Sequence, residues 1–173
     1  QFAREAAELV KAAYTKLGSL LAVQDENGEF GTLRHAIWSE VLVCPRCKAE
    51  HTFWAGAVQE PPLRLRPADE PYSCPHCSAQ ISVGACERAT ETLLDPLLGK
   101  QVAQRKRVPV RIYGKTGKRK WQRAVLADDL NTLKLVDDYA IPTSVPLCEL
   151  RLGDLYRSGY HFGITHLHHL YTR

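Results

Sequence analysis

Cys44-Pro45-Arg46-Cys47 and Cys74-Pro75-His76-Cys77, with 26 residues between them, carry the strongest signal in this chain. Two thiolates three positions apart grip a tetrahedral metal ion from one tight turn, and two such pairs complete a four-sulfur shell. Each pair sits in a Cys-Pro-x-Cys turn, where proline pre-sets φ. A β-prone run follows each pair. The pattern predicts a zinc ribbon, with one knuckle at the tip of each of two β-hairpins and Cys44, Cys47, Cys74 and Cys77 as ligands of a structural Zn²⁺. Disulfides suit an oxidising compartment and a short secreted chain. A thioredoxin-like site needs a single Cys-x-x-Cys near a βαβ pattern. Four closed ligands leave no open position, so the metal is expected to fold the chain and to do no chemistry.

Composition sets the frame around this site. The chain has 173 residues, 45% apolar and 24% charged, with a net charge of +4 and a pI near 8.8. That is ordinary for a globular protein, and the location of the positive charge matters more than its sum. No run of 18 apolar residues reads as a membrane span. Glu5 and Glu8 in the amphipathic start argue against a signal peptide. The remaining two of the six cysteines, Cys86 and Cys148, read as small buried residues. Cysteine usage without a secretory signal points to a reducing cytoplasm and no membrane partner. The lack of Met, the start inside a helical pattern and the end on Tyr171-Thr172-Arg173 suggest a piece of a longer protein.

Upstream of the knuckles, Phe2, Ala6, Leu9, Val10, Ala13, Tyr14 and Leu17 recur at helical spacing, which predicts a helix over 2–17 ended by Gly18. Residues 19–43 read as a hairpin turned by Asp25-Glu26-Asn27-Gly28, with Trp38 as a core anchor beside the metal. Between the knuckles, 51–54 reads as a short returning strand. Pro61, Pro62, Pro67 and Pro71 predict an exposed loop over 59–71 that carries Arg64 and Arg66 in solvent. Ala79 to Val83 is the next expected strand. Glu87 to Glu91 reads as polar chain, and Asp95-Pro96-Leu97-Leu98-Gly99 closes the region.

Residues 105–123 hold nine basic side chains and no acidic one. Val108, Val110 and Ile112 alternate with polar residues, and Gly114-Lys115-Thr116-Gly117 supplies a hairpin turn, so the run predicts a basic β-ribbon. Gly114-Lys115-Thr116 is not a P-loop, since Pro109 stands where that motif needs glycine and the flanks read as strands. Lys and Arg at this density neutralise phosphates, and an aromatic between them stacks on a base. The candidate DNA contacts are Arg107, Arg111, Lys115, Lys118, Arg119 and Lys120, with Trp121 as the aromatic. The competing reading is a solvated edge that resists aggregation. A short helix over 127–139 and irregular chain around Pro142, Pro146 and Gly153 follow. The tail from Gly159 to Arg173 contains His161, His166, His168 and His169. Read as a strand, it places His166 and His168 on one face and His169 on the other, with no carboxylate nearby in sequence.

Several pieces of the chain resemble the central region of bacterial DNA methyltransferases of the adenine-N6 or cytosine-N4 kind, enzymes of restriction–modification. They are Trp38-Ser39-Glu40-Val41 leading into the first knuckle, Cys74-Pro75-His76-Cys77-Ser78-Ala79, Lys106-Arg107-Val108-Pro109-Val110 and Gly163-Ile164-Thr165-His166-Leu167-His168-His169-Leu170-Tyr171-Thr172-Arg173. The resemblance implies a zinc-ribbon insertion in an S-adenosylmethionine-dependent parent, with DNA and the rest of the methyltransferase as partners. The family's cofactor loop, Asp-Pro-Phe-x-Gly-Ser-Gly, is absent. So is its catalytic Asp/Asn-Pro-Pro-Tyr/Phe motif, because Pro61-Pro62 lies between Glu60 and Leu63. No catalytic or cofactor-binding residue is therefore assigned, and S-adenosylmethionine belongs only to the parent.

The expected architecture is α+β, with an N-terminal helix, zinc-ribbon hairpins and a basic β-ribbon. The expected divisions are 1–43 (helix and hairpin), 44–83 (zinc ribbon), 84–158 (basic ribbon and short helix) and 159–173 (His-rich tail). The expected function is a zinc-binding accessory or target-recognition module that engages DNA. The alternatives are a purely structural or protein-docking lobe, and an enzyme using a second metal on the histidine tail.

Overall fold

The computed structural model describes residues 1–60, 63–138, 144–151, 153–159 and 161–170. Pro61, Pro62, Pro142 and the last three tail residues of the sequence reading lie outside these. The fold is α+β. Helix α1 (Phe2–Leu17) and a 3-10 turn lead to β1 (Ala22–Gln24) and the long β2 (Phe30–Val43). Then come β3 (Glu50–Thr52), α2 (Phe53–Ala57), β4 (Val58–Gln59), β5 (Arg64–Leu65), β6 (Pro71–Ser73) and β7 (Gln80–Ser82). The second half holds β8 (Glu87–Arg88), β9 (Thr90–Asp95), β10 (Lys100–Arg105), β11 (Arg107–Thr116), β12 (Arg119–Ala124), α3 (Ala127–Asp137) and α4 (Asp154–Arg157). Every strand pairing with a stated register is antiparallel. No helix among the described residues is long and apolar enough to cross a membrane.

The chain forms two compact units, residues 1–37 with 109–139 and residues 38–108 with 140–173. In the first, β1, β2, β11 and β12 are neighbours in that order. The predicted basic ribbon is the β11–β12 hairpin, in which Arg111 pairs with Ala124 and Thr116 with Arg119, so Gly114, Lys115 and Thr116 are strand residues and the turn falls at Gly117–Lys118 and not at 114–117. The two faces of this hairpin differ. On one, Trp121 lies flat against Gly114, where a Cβ would sit 2.1 Å from its ring, and its Nε1–H donates to Thr116 Oγ1 at 2.9 Å. On the same face Ile112 and Arg123 are buried. Arg123 makes a two-pronged pair with Asp129 of α3, at 2.5 and 2.9 Å. Burial works to raise the Asp129 carboxyl's pKa, but the Arg123 guanidinium and the Leu126 N–H overcome it and hold the acid ionised. That carboxylate, accepting from the Leu126 N–H, also closes the start of α3.

Helix α1 matches its predicted span but buries none of its side chains, and Phe2 and Leu9 remain 83% and 73% exposed. In the second unit the core is Leu42, Ala57, Tyr72, Ile81, Val83 and Cys86, gathered around the buried sulfurs of Cys44 and Cys74. Gly56 is required there, since a Cβ would lie 2.6 Å from the Tyr72 ring.

Several sequence expectations are corrected. Trp38 is 43% exposed and is not a core anchor. Cys86 is buried as expected, but Cys148 is exposed. The strand expected at 51–54 stops at Thr52, whose hydroxyl accepts from the Ala55 N–H and caps α2. The 59–71 segment is not an open loop throughout: β4 pairs with β5, and Arg64 and Arg66 both reach Glu70, at 3.0 and 2.7 Å. The polar stretch at 87–91 is not loop: Glu87 and Arg88 form β8 and pair with β2, while Thr90 and Glu91 begin the β9–β10 hairpin, which turns at residues 95–99.

Candidate metal centre

The two knuckles are the same local structure built twice. In the first, the Lys48 N–H donates to Cys44 O at 3.0 Å and the Cys44 N–H to Ala49 O at 3.0 Å. In the second, Ser78 N–H donates to Cys74 O at 2.9 Å and Cys74 N–H to Ala79 O at 2.9 Å. Lys48 and Ser78 both adopt left-handed backbone, with φ of 61° and 59°. That conformation is strained for a side chain other than glycine and lets the chain turn sharply after each second cysteine. The flanking pairs Val43–Glu50 and Ser73–Gln80 put each knuckle at a hairpin tip, as the spacing predicts.

The turns bring all four sulfurs together. Cys44 Sγ lies 4.0 Å from Cys77 Sγ, and Cys47 Sγ lies 3.9 Å from Cys74 Sγ. A disulfide requires about 2 Å. The edge of a tetrahedron with 2.3 Å metal–sulfur bonds is about 3.8 Å. The separations therefore fit ligands around one ion, and the group can hold a metal. The first cysteine of each pair is buried and the second exposed. N–H groups of Cys47 and Arg46 aim at Cys44 and lower its thiol to about 6 despite burial, which favours the ligating thiolate.

A second gathering was not foreseen. His168 Nε2 and His169 Nε2 lie 2.8 and 2.7 Å from the same oxygen, Asp95 Oδ2. The other oxygen, Oδ1, accepts the N–H groups of Leu97 and Leu98 at 2.9 and 3.0 Å. Burial acts to raise the Asp95 carboxyl, but the bonds from His169, His168, Leu98 and Leu97 outweigh it and hold the group well below the usual range. These residue types also suit a metal. Their distances do not, because 2.0–2.1 Å bonds in a tetrahedron separate donors by about 3.3 Å. His169 Nδ1 accepts N–H from Thr165 at 3.1 Å and from His166 at 3.4 Å, so the neutral ring carries its proton on Nε2, aimed at Asp95. A metal on Nε2 would leave that ring with no proton at all. The cluster is a hydrogen-bonded knot that ties the tail to the β9–β10 turn. Gly163 lets the tail approach β10, since a Cβ there would lie 2.3 Å from Ala103 O. In sequence, Asp95 stands 73 residues from His168, and only its Asp-Pro-x-x-Gly turn pattern was readable.

The candidate DNA contacts are dispersed by acids drawn from other parts of the chain. Arg119 meets Asp25 and Glu29, and Arg107 Nη2 lies 3.8 Å from Glu40. Arg111 is half-buried, and Trp121 packs on Gly114. Lys115, Lys118 and Lys120 are exposed, and among the described residues none of the three forms an ion pair. Comparison with family models, curated proteins and solved structures finds no match for this chain.

Proposed function

We propose that this chain is a zinc-stapled accessory module that engages nucleic acid through the tip of its basic ribbon. The observation that carries the reading is the trio Lys115, Lys118 and Lys120, which is exposed and has no acidic partner among the described residues, while Arg119 and Arg123 are occupied by carboxylates. Phosphates are the ligand that three clustered cations without acidic partners suit best. Zinc is the metal favoured by four thiolates in a closed shell, and it would fold the module without chemistry. On the resemblance of its motifs, the parent we propose is a bacterial DNA methyltransferase of the amino-methylating kind. Such an enzyme needs a lobe that holds the duplex while a base is flipped.

The test is a binding titration of a duplex and of a single-stranded oligonucleotide across a salt series. Affinity should fall with salt, and replacing each of Lys115, Lys118 and Lys120 by Gln should flatten the log–log slope for the duplex by roughly 0.9. Absence of binding, or binding indifferent to salt, would refute the reading. Protein docking is the second reading, and the bare apolar face of α1 favours it.

A further inference from the structure

The β11–β12 register sorts the ribbon's side chains onto two faces. Cross-strand partners and alternate residues share a face. Ile112, Gly114 and Thr116 lie with Arg123, Trp121 and Arg119 on the packed side. Arg111, Tyr113 and Lys115 lie with Ala124, Gln122 and Lys120 on the other. Against Tyr113 stacks His35 of β2, with ring centroids 4.4 Å apart and planes 16° from parallel. His35, Lys115, Lys120 and Gln122 are exposed, Tyr113 is half-buried, and no residue the register puts on this face is acidic.

We propose that this open face binds single-stranded nucleic acid, with an unpaired base laid on the exposed His35 ring and the backbone phosphates on Lys115 and Lys120. The inference rests on the nucleic-acid reading above and specifies the strand state. A duplex covers the flat faces of its bases with their neighbours, so only an unpaired base has a π-face to offer. The His35–Tyr113 pair is already stacked, so little side-chain freedom remains to be lost when a third ring joins. Lysines on the same face reach the backbone of the strand whose base is stacked. Trp121, the more obvious aromatic, is turned to the packed face, where it lies on Gly114.

The experiment is fluorescence anisotropy of a short labelled oligothymidylate and of a labelled duplex with the full 173-residue chain. His35→Ala and Tyr113→Ala should each weaken oligothymidylate binding about tenfold and change duplex binding much less. Tyr113→Phe, which keeps the ring, should bind as the parent does. If His35→Ala, at an exposed site that should not disturb folding, leaves oligothymidylate affinity unchanged while Lys115→Glu abolishes it, the stacking platform is wrong and the phosphate reading stands. If Tyr113→Phe loses as much as Tyr113→Ala, the ring face is not the contact, and the platform is again wrong. If the unsubstituted chain binds neither probe, the nucleic-acid reading and this inference fall together.

Discussion

The four-cysteine cage and the Asp95–His168–His169 knot both gather side chains that metals use, yet their closest donor pairs differ by more than an ångström, 3.9–4.0 Å against 2.7–2.8 Å. Each distance suits a different particle. The wider gap leaves room for an ion at the centre of the sulfurs, and the narrower one holds a proton on the line between two atoms. Residue type alone does not separate the two cases; donor spacing and the partner at the far ring nitrogen do.

The largest way to break the contrast is to remove a ligand. Cys74→Ser, or stripping the metal with a chelator, should abolish cooperative unfolding of the unit containing the knuckles, since binding of a structural zinc contributes on the order of 10 kcal/mol. Circular dichroism melts with parallel metal analysis would show it. A melt indifferent to chelation would mean that the sulfurs hold no structural ion. Asp95→Ala should cost about 3 kcal/mol in urea unfolding, because four donors lose their acceptor, while metal content stays at one ion per chain. Two ions in the parent and one in the Asp95 variant would turn the knot into a second metal site and end the comparison.

Acid should separate the clusters more gently. Cys44 and Asp95 have folded-state pKa values below their unfolded ones, so each stabilises at higher pH and loses that contribution as pH falls, whereas at Cys47 the Ala49 N–H is outweighed by burial and the neighbouring sulfurs, which push the thiol up to about 11. Cys44 titrates near 6 in the metal-free chain, whereas Asp95 stays charged below the normal carboxylate range. Metal release, followed with a colorimetric chelator, should therefore precede loss of the knot, followed by the histidine ring resonances in NMR. The reverse order would mean that the knot is the weaker of the two. The smallest effect is expected at Lys48. Its left-handed backbone makes Lys48→Gly stabilising by about 0.5–1 kcal/mol in the metal-bound chain, and destabilisation would show that the Lys48 side chain is needed.

What could be read in advance follows the range over which each feature is encoded. The knuckles, α1 and the β11–β12 ribbon are specified by spacings of a few residues; the knuckles and α1 form where their patterns predict, and the ribbon forms with its turn moved to Gly117–Lys118. The knot joins residues more than 70 positions apart, so a search for a carboxylate beside the histidines in sequence could not find Asp95. The ribbon's ion pairs are hidden in the sequence for the same reason. An acid-free run looked unopposed until folding brought Asp25, Glu29 and Asp129 to its arginines. Strand alternation could have assigned Tyr113 and Trp121 to different faces, but which face is packed depends on α3, whose Asp129 holds Arg123.

The repeated knuckle also governs how an ion would leave. In both halves the inner cysteine, Cys44 or Cys74, is buried, and the outer one, Cys47 or Cys77, is exposed. An incoming chelator or alkylating reagent reaches the outer pair first, so exchange begins at Cys47 and Cys77 while the inner sulfurs still hold. An ion held here would then leave by a stepwise hand-over on the solvent side that begins at the outer cysteines.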